Sequence, residues 1–368
     1  MRILQLCPYA MDRPGGVQRH VRDLAAWLRG AGHEVRVIAP PGHALAAPGN
    51  VQTLGRARRI ALHGTAFELS YAAPWALRYA CRDLRAWAPH VIHAHTPWTP
   101  LLVPQLLRRL DAPLVTTVHA TLPDPAATGL ADRYIRRAAR RLLPRARALI
   151  IPSEAPLTML RRTIPDIAAE IVPPAIDLSP WQPSSRPETA LQILFAGRLE
   201  PRKGLADALA AWEHIAAAHP AAQMVVAGDG PEDGPERRRI AAAVSPRLRW
   251  VKAPDDAALR ALMAQSDLML APAPYGESFG LILVEAMAAG CVPVAAANPG
   301  YASVLGPQST ALLAAPGDWR DLARKALKLV DPQQRHTLRD WGIAHAARFD
   351  ITACGPRFLE IYHSATGV

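Results

Sequence analysis

Short apolar runs, each about a strand long, alternate with segments of helical periodicity along the whole of this chain, and the series occurs twice. In the first half the runs are "RILQLC", "EVRVIAP", "VIHAH", "PLVTTVHA", "ALIIPS" and "AEIVPPAID". In the second half they are "QILFAGRL", "QMVVAGDG", "LRWVK", "LMLAPA" and "CVPVAAA". Runs this continuously apolar belong to strands covered on both faces, and their alternation with helices calls for parallel sheets with helical crossovers. Between the two series lies "LSPWQPSSRPETA", rich in Pro and Ser, which reads as a linker. At 368 residues the chain exceeds the size that one core usually serves. The sequence therefore predicts an α/β protein of two doubly wound, Rossmann-like domains, at 1–178 and 191–345, with a linker at 179–190. The strand-free segment 346–368 is expected to be helical, with the option of packing back on the first domain. Ligands of such sheets bind beyond the carboxyl ends of the strands, so the expected site is a cleft between the domains.

Half of the residues are hydrophobic, ample for two cores. The four cysteines, Cys7, Cys81, Cys291 and Cys354, form no CxxC or other ligand spacing, which favours a reduced, cytosolic protein over a disulfide scaffold. The start, "MRILQLCPYA", lacks the apolar core of a signal peptide, and no run approaches the roughly 20 residues that span a bilayer. The net charge of +11 is lopsided: residues 1–178 hold 23 Arg against 12 acidic residues, while residues 179–368 hold 19 basic and 19 acidic residues. One domain is thereby expected to meet an anionic surface or ligand, because Arg-rich composition alone would raise both halves.

Chemistry-bearing residues gather in loops after strands. In "PYGESFGLILVEAMAAG" the strand before it and the helix expected at Phe279–Ala289 make Ser278 a candidate N-cap. Glu277 then sits beside a helix N-terminus, whose N–H groups and partial positive charge suit phosphate. Glu285, eight residues on, projects from a similar side but deeper. Two carboxylates for sugar hydroxyls and amides for a diphosphate suit a sugar nucleotide; a solvated loop Glu and a helix-surface Glu explain the spacing equally well. In "FAGRLEPRKG", Gly197 and Arg198 follow a strand, and Lys203 precedes a helix. The two cations can clamp a diphosphate or steady a phosphate leaving group, or they are ordinary loop charges. Gly228 lies in a second Gly-rich turn, "AGDGPE". Gly15 and Gly16 join the first strand to the first helix and permit close backbone approach, although GxGxxG is absent.

His119 ends an apolar strand, where a lone histidine is more often structural. His93 and His95 share one face of their strand, but no third ligand is apparent and no Asp-x-Asp motif occurs, so no metal is expected. In "LADRYIRRAARRLL", Arg133, Arg136, Arg137, Arg140 and Arg141 follow helical spacing on one face, and Leu130, Tyr134, Ala138 and Leu142 on another. Such a helix suits an anionic membrane surface, or a solvated face over a core. No interleaved aromatics or binding module supports a nucleic-acid partner.

In this order and spacing, "PGGVQRHV", His119, "GRLEPRKG", "AGDGPE" and "GESFGLILVEAMAAG" resemble the GT-B glycosyltransferases of family GT4 across nearly the whole chain. The resemblance implies a retaining, metal-independent, cofactor-free hexosyltransferase using a nucleotide-sugar donor. By it, Glu277 contacts the donor sugar and Glu285 the nucleotide ribose. Ser278, Phe279, Gly280 and Leu281 line the donor site, the first three bringing main-chain N–H groups to sugar and phosphates. Arg198 and Lys203 hold the diphosphate, His119 stands near the reacting sugar, and Gly15–Gly16 faces diphosphate and acceptor. "CPYAMDRPGGVQRHV" and "RLEPRKG" are similar to phosphatidylinositol mannosyltransferases, which use GDP-mannose at the inner membrane face. The implied setting is thus cytoplasmic and peripheral at that face, with a lipid-linked or glycan acceptor. Those enzymes carry Tyr-Asn-Gly-Ser and then Arg in the acceptor segment, where this chain has Leu62, His63, Gly64, Thr65 and Glu68. Glu68 reverses the charge offered to a phosphate and weighs against an inositol phospholipid. A UDP-sugar donor, and a non-catalytic nucleotide-sugar or lipid-binding subunit, are the alternatives.

Overall fold

The computed structural model describes residues 1–13, 15–42, 51–62, 65–99, 101–120, 122, 126, 128–184, 190–230 and 246–367, with the backbone alone at 59–62 and 65–68. The chain divides into two compact units, Met1–Asp177 with Asp350–Val368, and Leu178–Phe349.

In the first unit, strands β1 (Arg2–Leu6), β2 (Glu34–Ala39), β3 (Val51–Thr53), β6 (Val91–His95), β7 (Leu114–Thr117), β8 (Ala148–Ile151) and β9 (Glu170–Ile171) form a seven-stranded parallel sheet. Its order is β3-β2-β1-β6-β7-β8-β9. Period-2 alternation along β1 sends Ile3 to one core and Leu4 and Leu6 to the other. Both faces of the sheet are therefore covered, and its central strands β1, β6 and β7 are buried along almost their whole length. A separate antiparallel hairpin joins β4 (Arg56–Leu62) to β5 (Thr65–Tyr71).

The second unit repeats the plan with β10 (Gln192–Ala196), β11 (Gln223–Gly228), β12 (Leu248–Lys252), β13 (Leu268–Ala271), β14 (Val292–Ala296) and β15 (Leu313–Ala314). All are parallel, in the order β12-β11-β10-β13-β14-β15. In both sheets the order reverses beside the first strand, the switch point at which such folds bind ligands.

The chain leaves the second unit after Phe349, later than the 345/346 boundary expected from sequence. Phe349 still belongs there, its ring packing on Phe279 at 5.4 Å and His345 at 5.3 Å. Asp350 then caps the helix Ile351–Thr366 through its side chain and the Thr352 N–H. That helix joins the core of the first unit through Phe358, Ile361 and Tyr362. At the other end, residues 178–184 of the Pro/Ser-rich stretch group with the second unit, with Trp181 buried beneath the Arg260 guanidinium. No helix among the described residues is long and apolar enough to cross a membrane.

Candidate active site

The loops beyond β10, β11 and β13 bring together most of the residues marked out in the second half. Beyond β10 the chain passes Gly197 and Arg198 and closes a single 3-10 turn, Pro201–Lys203, before the helix Leu205–Ala218. Glu200 is buried and receives Arg198 Nη2 at 2.5 Å and Arg202 Nε at 3.1 Å. From β13 the chain runs through Tyr275 and Gly276 to Glu277. Its Oε1 accepts from Lys203 Nζ at 2.6 Å and from Arg202 Nη1 at 3.1 Å. Five charges thus form one chain, Arg198–Glu200–Arg202–Glu277–Lys203, with one net positive charge.

Arg202, not singled out in the sequence, is the link between the two carboxylates. Charge alternation through "GRLEPRK" was the available signal. Lys203 and Glu277 are mostly buried, their side chains 18% and 12% exposed, so their attraction is screened less than that of a surface pair. Arg198, at 39%, is the cation most open to an incoming anion.

The loop carrying Glu277 is held from behind. Asn298 caps the helix Pro299–Leu305 by accepting from the Tyr301 N–H, and its Nδ2 donates to the Ala273 carbonyl at 2.8 Å. At Gly300 a Cβ would overlap the carbonyl oxygen of Glu277, so only glycine lets these backbones approach. The Tyr301 phenol is buried and held well above its ordinary pKa, first by burial and then by the Glu277 charge.

The helix after this loop spans Leu281–Ala288, shorter than expected, and its N-cap is Gly280, not Ser278. Gly280 stands at φ 116°, where a side chain is strained. A Cβ there would also lie 2.7 Å from the Tyr301 ring. Capping is therefore done by a glycine that makes no side-chain bond, and Ser278 and Phe279 belong to the loop. Phe279 is buried. Leu281 opens the helix, and Glu285 lies one turn in, buried at 6% exposure. Gly228 ends β11.

In the first unit, Gly15 is the N-cap of the helix Gly16–Gly30, which Gly16 opens. His119 lies just beyond β7 and does not stand alone. His119 Nε2 meets His95 Nδ1 at 2.9 Å, and the His20 ring from the first helix packs against both. The His93–His95 pair read on β6 therefore has two further imidazoles beside it, supplied by residues far away in sequence. His93 is spoken for: Nδ1 meets the Tyr362 hydroxyl and Nε2 the Thr117 hydroxyl, both at 2.7 Å. Burial holds His20 down to about 4, and holds His93, His95 and His119 well below the usual histidine range, with neighbouring imidazoles adding to the effect for these three.

The helix Leu130–Leu142 departs from its sequence reading. Arg136 is 9% exposed and faces inward with Asp132 and Ala139, whereas Leu130 and Tyr134 are exposed at 85% and 43%. Arg133, Arg137, Arg140 and Arg141 remain exposed. The buried arc is thus centred between Asp132 and Arg136, leaving Leu130 and Tyr134 among the outward arginines. The five arginines line an open cavity of about 450 Å³. His63 lies outside the described residues. Thr65 opens β5 opposite Leu62.

Two parallel-sheet Rossmann-like domains, with a charged loop and a glycine-capped helix at the carboxyl edge of the second, define a GT-B glycosyltransferase. Comparison with known proteins agrees. The family model described as Glycosyl transferases group 1 matches residues 181–344, and that described as Glycosyltransferase Family 4 matches residues 14–180. The chain is 31% identical over 382 residues to the phosphatidyl-myo-inositol mannosyltransferase of Mycobacterium tuberculosis, covering all of this chain and 98% of that one. It is 30% identical to the enzyme of the same name from Mycolicibacterium smegmatis, covering 100% and 95%. Among solved structures, a sucrose-phosphate synthase from Thermosynechococcus elongatus superposes with a TM-score of 0.79 at 23% identity, covering 100% and 99%. Anabaena HepE in complex with UDP-glucose superposes at 0.75 and 20%, covering 99% and 100%. The chain belongs to glycosyltransferase family 4.

Proposed function

We propose that this glycosyltransferase moves mannose from GDP-mannose, with retention of configuration and without a catalytic metal, to a lipid-linked or glycan acceptor. The observation that carries the reading is the Glu277 carboxylate held by Lys203 and Arg202 beside a helix N-terminus. In this reading Glu277 accepts hydrogen bonds from donor-sugar hydroxyls, and Glu285 from the ribose. Arg198, Lys203 and the first N–H groups of the helix Leu281–Ala288 meet the diphosphate. The acceptor oxygen attacks the anomeric carbon on the face from which the nucleotide departs. As the bond from that carbon to the phosphate oxygen breaks, the acceptor proton passes to the departing phosphate, giving glycoside and nucleoside diphosphate. Negative charge grows on the phosphate as this happens, and preorganised cations and amides stabilise it more than they stabilise bound donor. The resemblance to the family assigns His119 a role near the reacting sugar.

The names of the curated relatives support the mannosyl donor and a lipid acceptor, while the UDP-glucose complex of HepE keeps a UDP-sugar as the second reading. A panel of GDP-, UDP- and ADP-sugars settles the donor. Turnover with GDP-mannose and a thermal shift with GDP are expected; turnover only with a UDP-sugar replaces the donor, and none with any overturns the reading.

The same proposal places the protein peripherally at the cytosolic membrane face. The exposed arginines 133, 137, 140 and 141, with Leu130 and Tyr134 among them, form a surface suited to anionic lipid. Neutralising those four arginines is expected to weaken binding to anionic liposomes while GDP affinity survives. Unchanged liposome binding removes this part.

A further inference from the structure

We propose that His20, His95 and His119, all of the first domain, form a binding site for a divalent transition-metal ion of the zinc class. The three side chains offer ligating atoms that all lie within 4.8 Å of one another. They come from the first helix, from β6 and from the segment after β7, parts of the chain that only the fold unites.

The geometry fits a tetrahedral centre with three protein ligands. The ring centroids form a nearly equilateral triangle with sides of 5.5, 5.2 and 5.2 Å. A zinc–nitrogen bond of about 2.0–2.1 Å puts each ring centroid about 3.2 Å from the metal, and a tetrahedral angle then spaces the centroids by about 5.2 Å. The rings are thus already at ligation distance. Bringing nitrogens from at most 4.8 Å to the roughly 3.4 Å that such a centre requires is a matter of turning rings about their side-chain bonds.

The hydrogen bonding fits as well. His20 Nδ1 lies 2.9 Å from the Ala175 carbonyl, which can only accept, so Nδ1 carries the proton and Nε2 presents a lone pair. A metal-bound histidine commonly anchors its second nitrogen in this way. His20 Nε2 and His95 Nε2 are both buried and lack a hydrogen-bond partner. Buried polar atoms without partners are costly, and each one calls for an explanation. Ligation through His20 Nε2 and His95 Nε2 gives both atoms a partner, and ligation through His119 Nε2 costs its hydrogen bond with His95 Nδ1. His93 is excluded as a ligand because both of its nitrogens are already engaged.

The donor set chooses the ion. Among the described residues no carboxylate joins the cluster, so magnesium, calcium and manganese are disfavoured, whereas imidazole suits zinc, cobalt, nickel and copper. The fourth position is left for hydroxide or another anion. Occupation takes the His119 lone pair, so the ion inhibits sugar transfer; this consequence rests on the role given to His119 above, whereas the binding does not.

The test uses the full chain, stripped with a chelator and titrated with Co²⁺. One equivalent is expected, with the visible absorption of four-coordinate cobalt, and Zn²⁺ is expected to displace it. His20→Ala and His95→Ala should each weaken binding by more than the roughly 10–100-fold cost of losing an outer-shell partner. Stoichiometric binding unchanged in both variants overturns the site, as does the absence of the absorption band. Should a variant fail to fold, X-ray absorption on the zinc-loaded wild-type chain decides. A shell of imidazole nitrogens at about 2.0 Å upholds the site, and a shell of oxygens alone overturns it. GDP thermal shifts are recorded alongside, so loss of donor binding with cobalt binding intact counts against the proposed transfer reaction only.

Discussion

The carboxyl edges of the two sheets occupy equivalent places in the same fold and solve the burial of polar groups in opposite ways. In the second domain the groups are charged and paired, through the chain from Arg198 to Lys203. In the first domain the imidazoles, His119 partly and the others fully buried, are held neutral, with hydrogen bonds joining His93 to Tyr362 and Thr117 and His95 to His119. Paired charges make a strong field at a defined place, suited to a ligand that carries and develops charge. Neutral imidazoles make little field but keep lone pairs and donors in fixed positions. The second edge suits a diphosphate; the first suits hydroxyl groups, or a metal that prefers nitrogen.

The sharpest way to break this comparison is to remove a charge from the second edge. Lys203→Met keeps much of the aliphatic stem and deletes one of the two cations that contact Glu277. We expect kcat/KM to fall about 10²–10³-fold, the scale of losing one preorganised group that stabilises transition-state charge. His119→Ala, at the neutral edge, should lose activity with a weaker dependence on ionic strength. Equal salt dependence for the two variants, measured by steady-state assay from low to physiological salt, would erase the electrostatic distinction.

The second expected effect concerns a partly buried carboxyl of the first domain, Asp23. Asp23 accepts a hydrogen bond from the Asp177 N–H at 3.0 Å. Burial nevertheless raises its pKa from 3.8 to about 6, against the lowering effects of that bond and of Arg19 and Arg22. Between those two values the folded state holds a proton that the unfolded state has released, so stability falls as pH rises through the window. Above about pH 6 the ionised carboxylate costs the fold up to about 3 kcal/mol. Asp23→Asn keeps an acceptor for the Asp177 N–H and removes the charge. The variant should match the parent below about pH 4 and exceed it by pH 7 in urea melts; a difference independent of pH sinks this account.

The strands were the most legible part of the sequence, because a sheet covered on both faces writes itself as unbroken apolar runs. The loops were legible as places and less so as geometry. Glu277 and Lys203 were both marked out, yet their direct contact was not, since 74 residues separate them and only the β10–β13 pairing brings them together. Ser278 carried the usual signature of a cap, but the turn needed positive φ at Gly280, and that need overrides side-chain preference. The helix Leu130–Leu142 was misread for another reason. Five arginines in nine residues spread so far around a 3.6-residue repeat that one of them, Arg136, had to lie at the buried edge. The histidine cluster was illegible because its members come from segments with no shared pattern, and period 2 on β6 revealed only His93 and His95.

The smallest effect sharpens the neutral side of the comparison. Tyr362, fully buried on the C-terminal helix, joins that helix to β6 by the contact of its hydroxyl with His93 Nδ1 at 2.7 Å. Tyr362→Phe removes the hydroxyl and almost no volume, leaving a buried ring nitrogen without its partner. The cost should be about 1–2 kcal/mol, the penalty for orphaning a neutral group and well below that for stranding a charge. Urea denaturation followed by circular dichroism measures it, with GDP binding as the control. The hydroxyl lies outside the second unit, so GDP affinity should not change. A loss above about 3 kcal/mol would mean that the His93–Tyr362 contact carries charge after all, and the neutral reading of the first edge would fall with it.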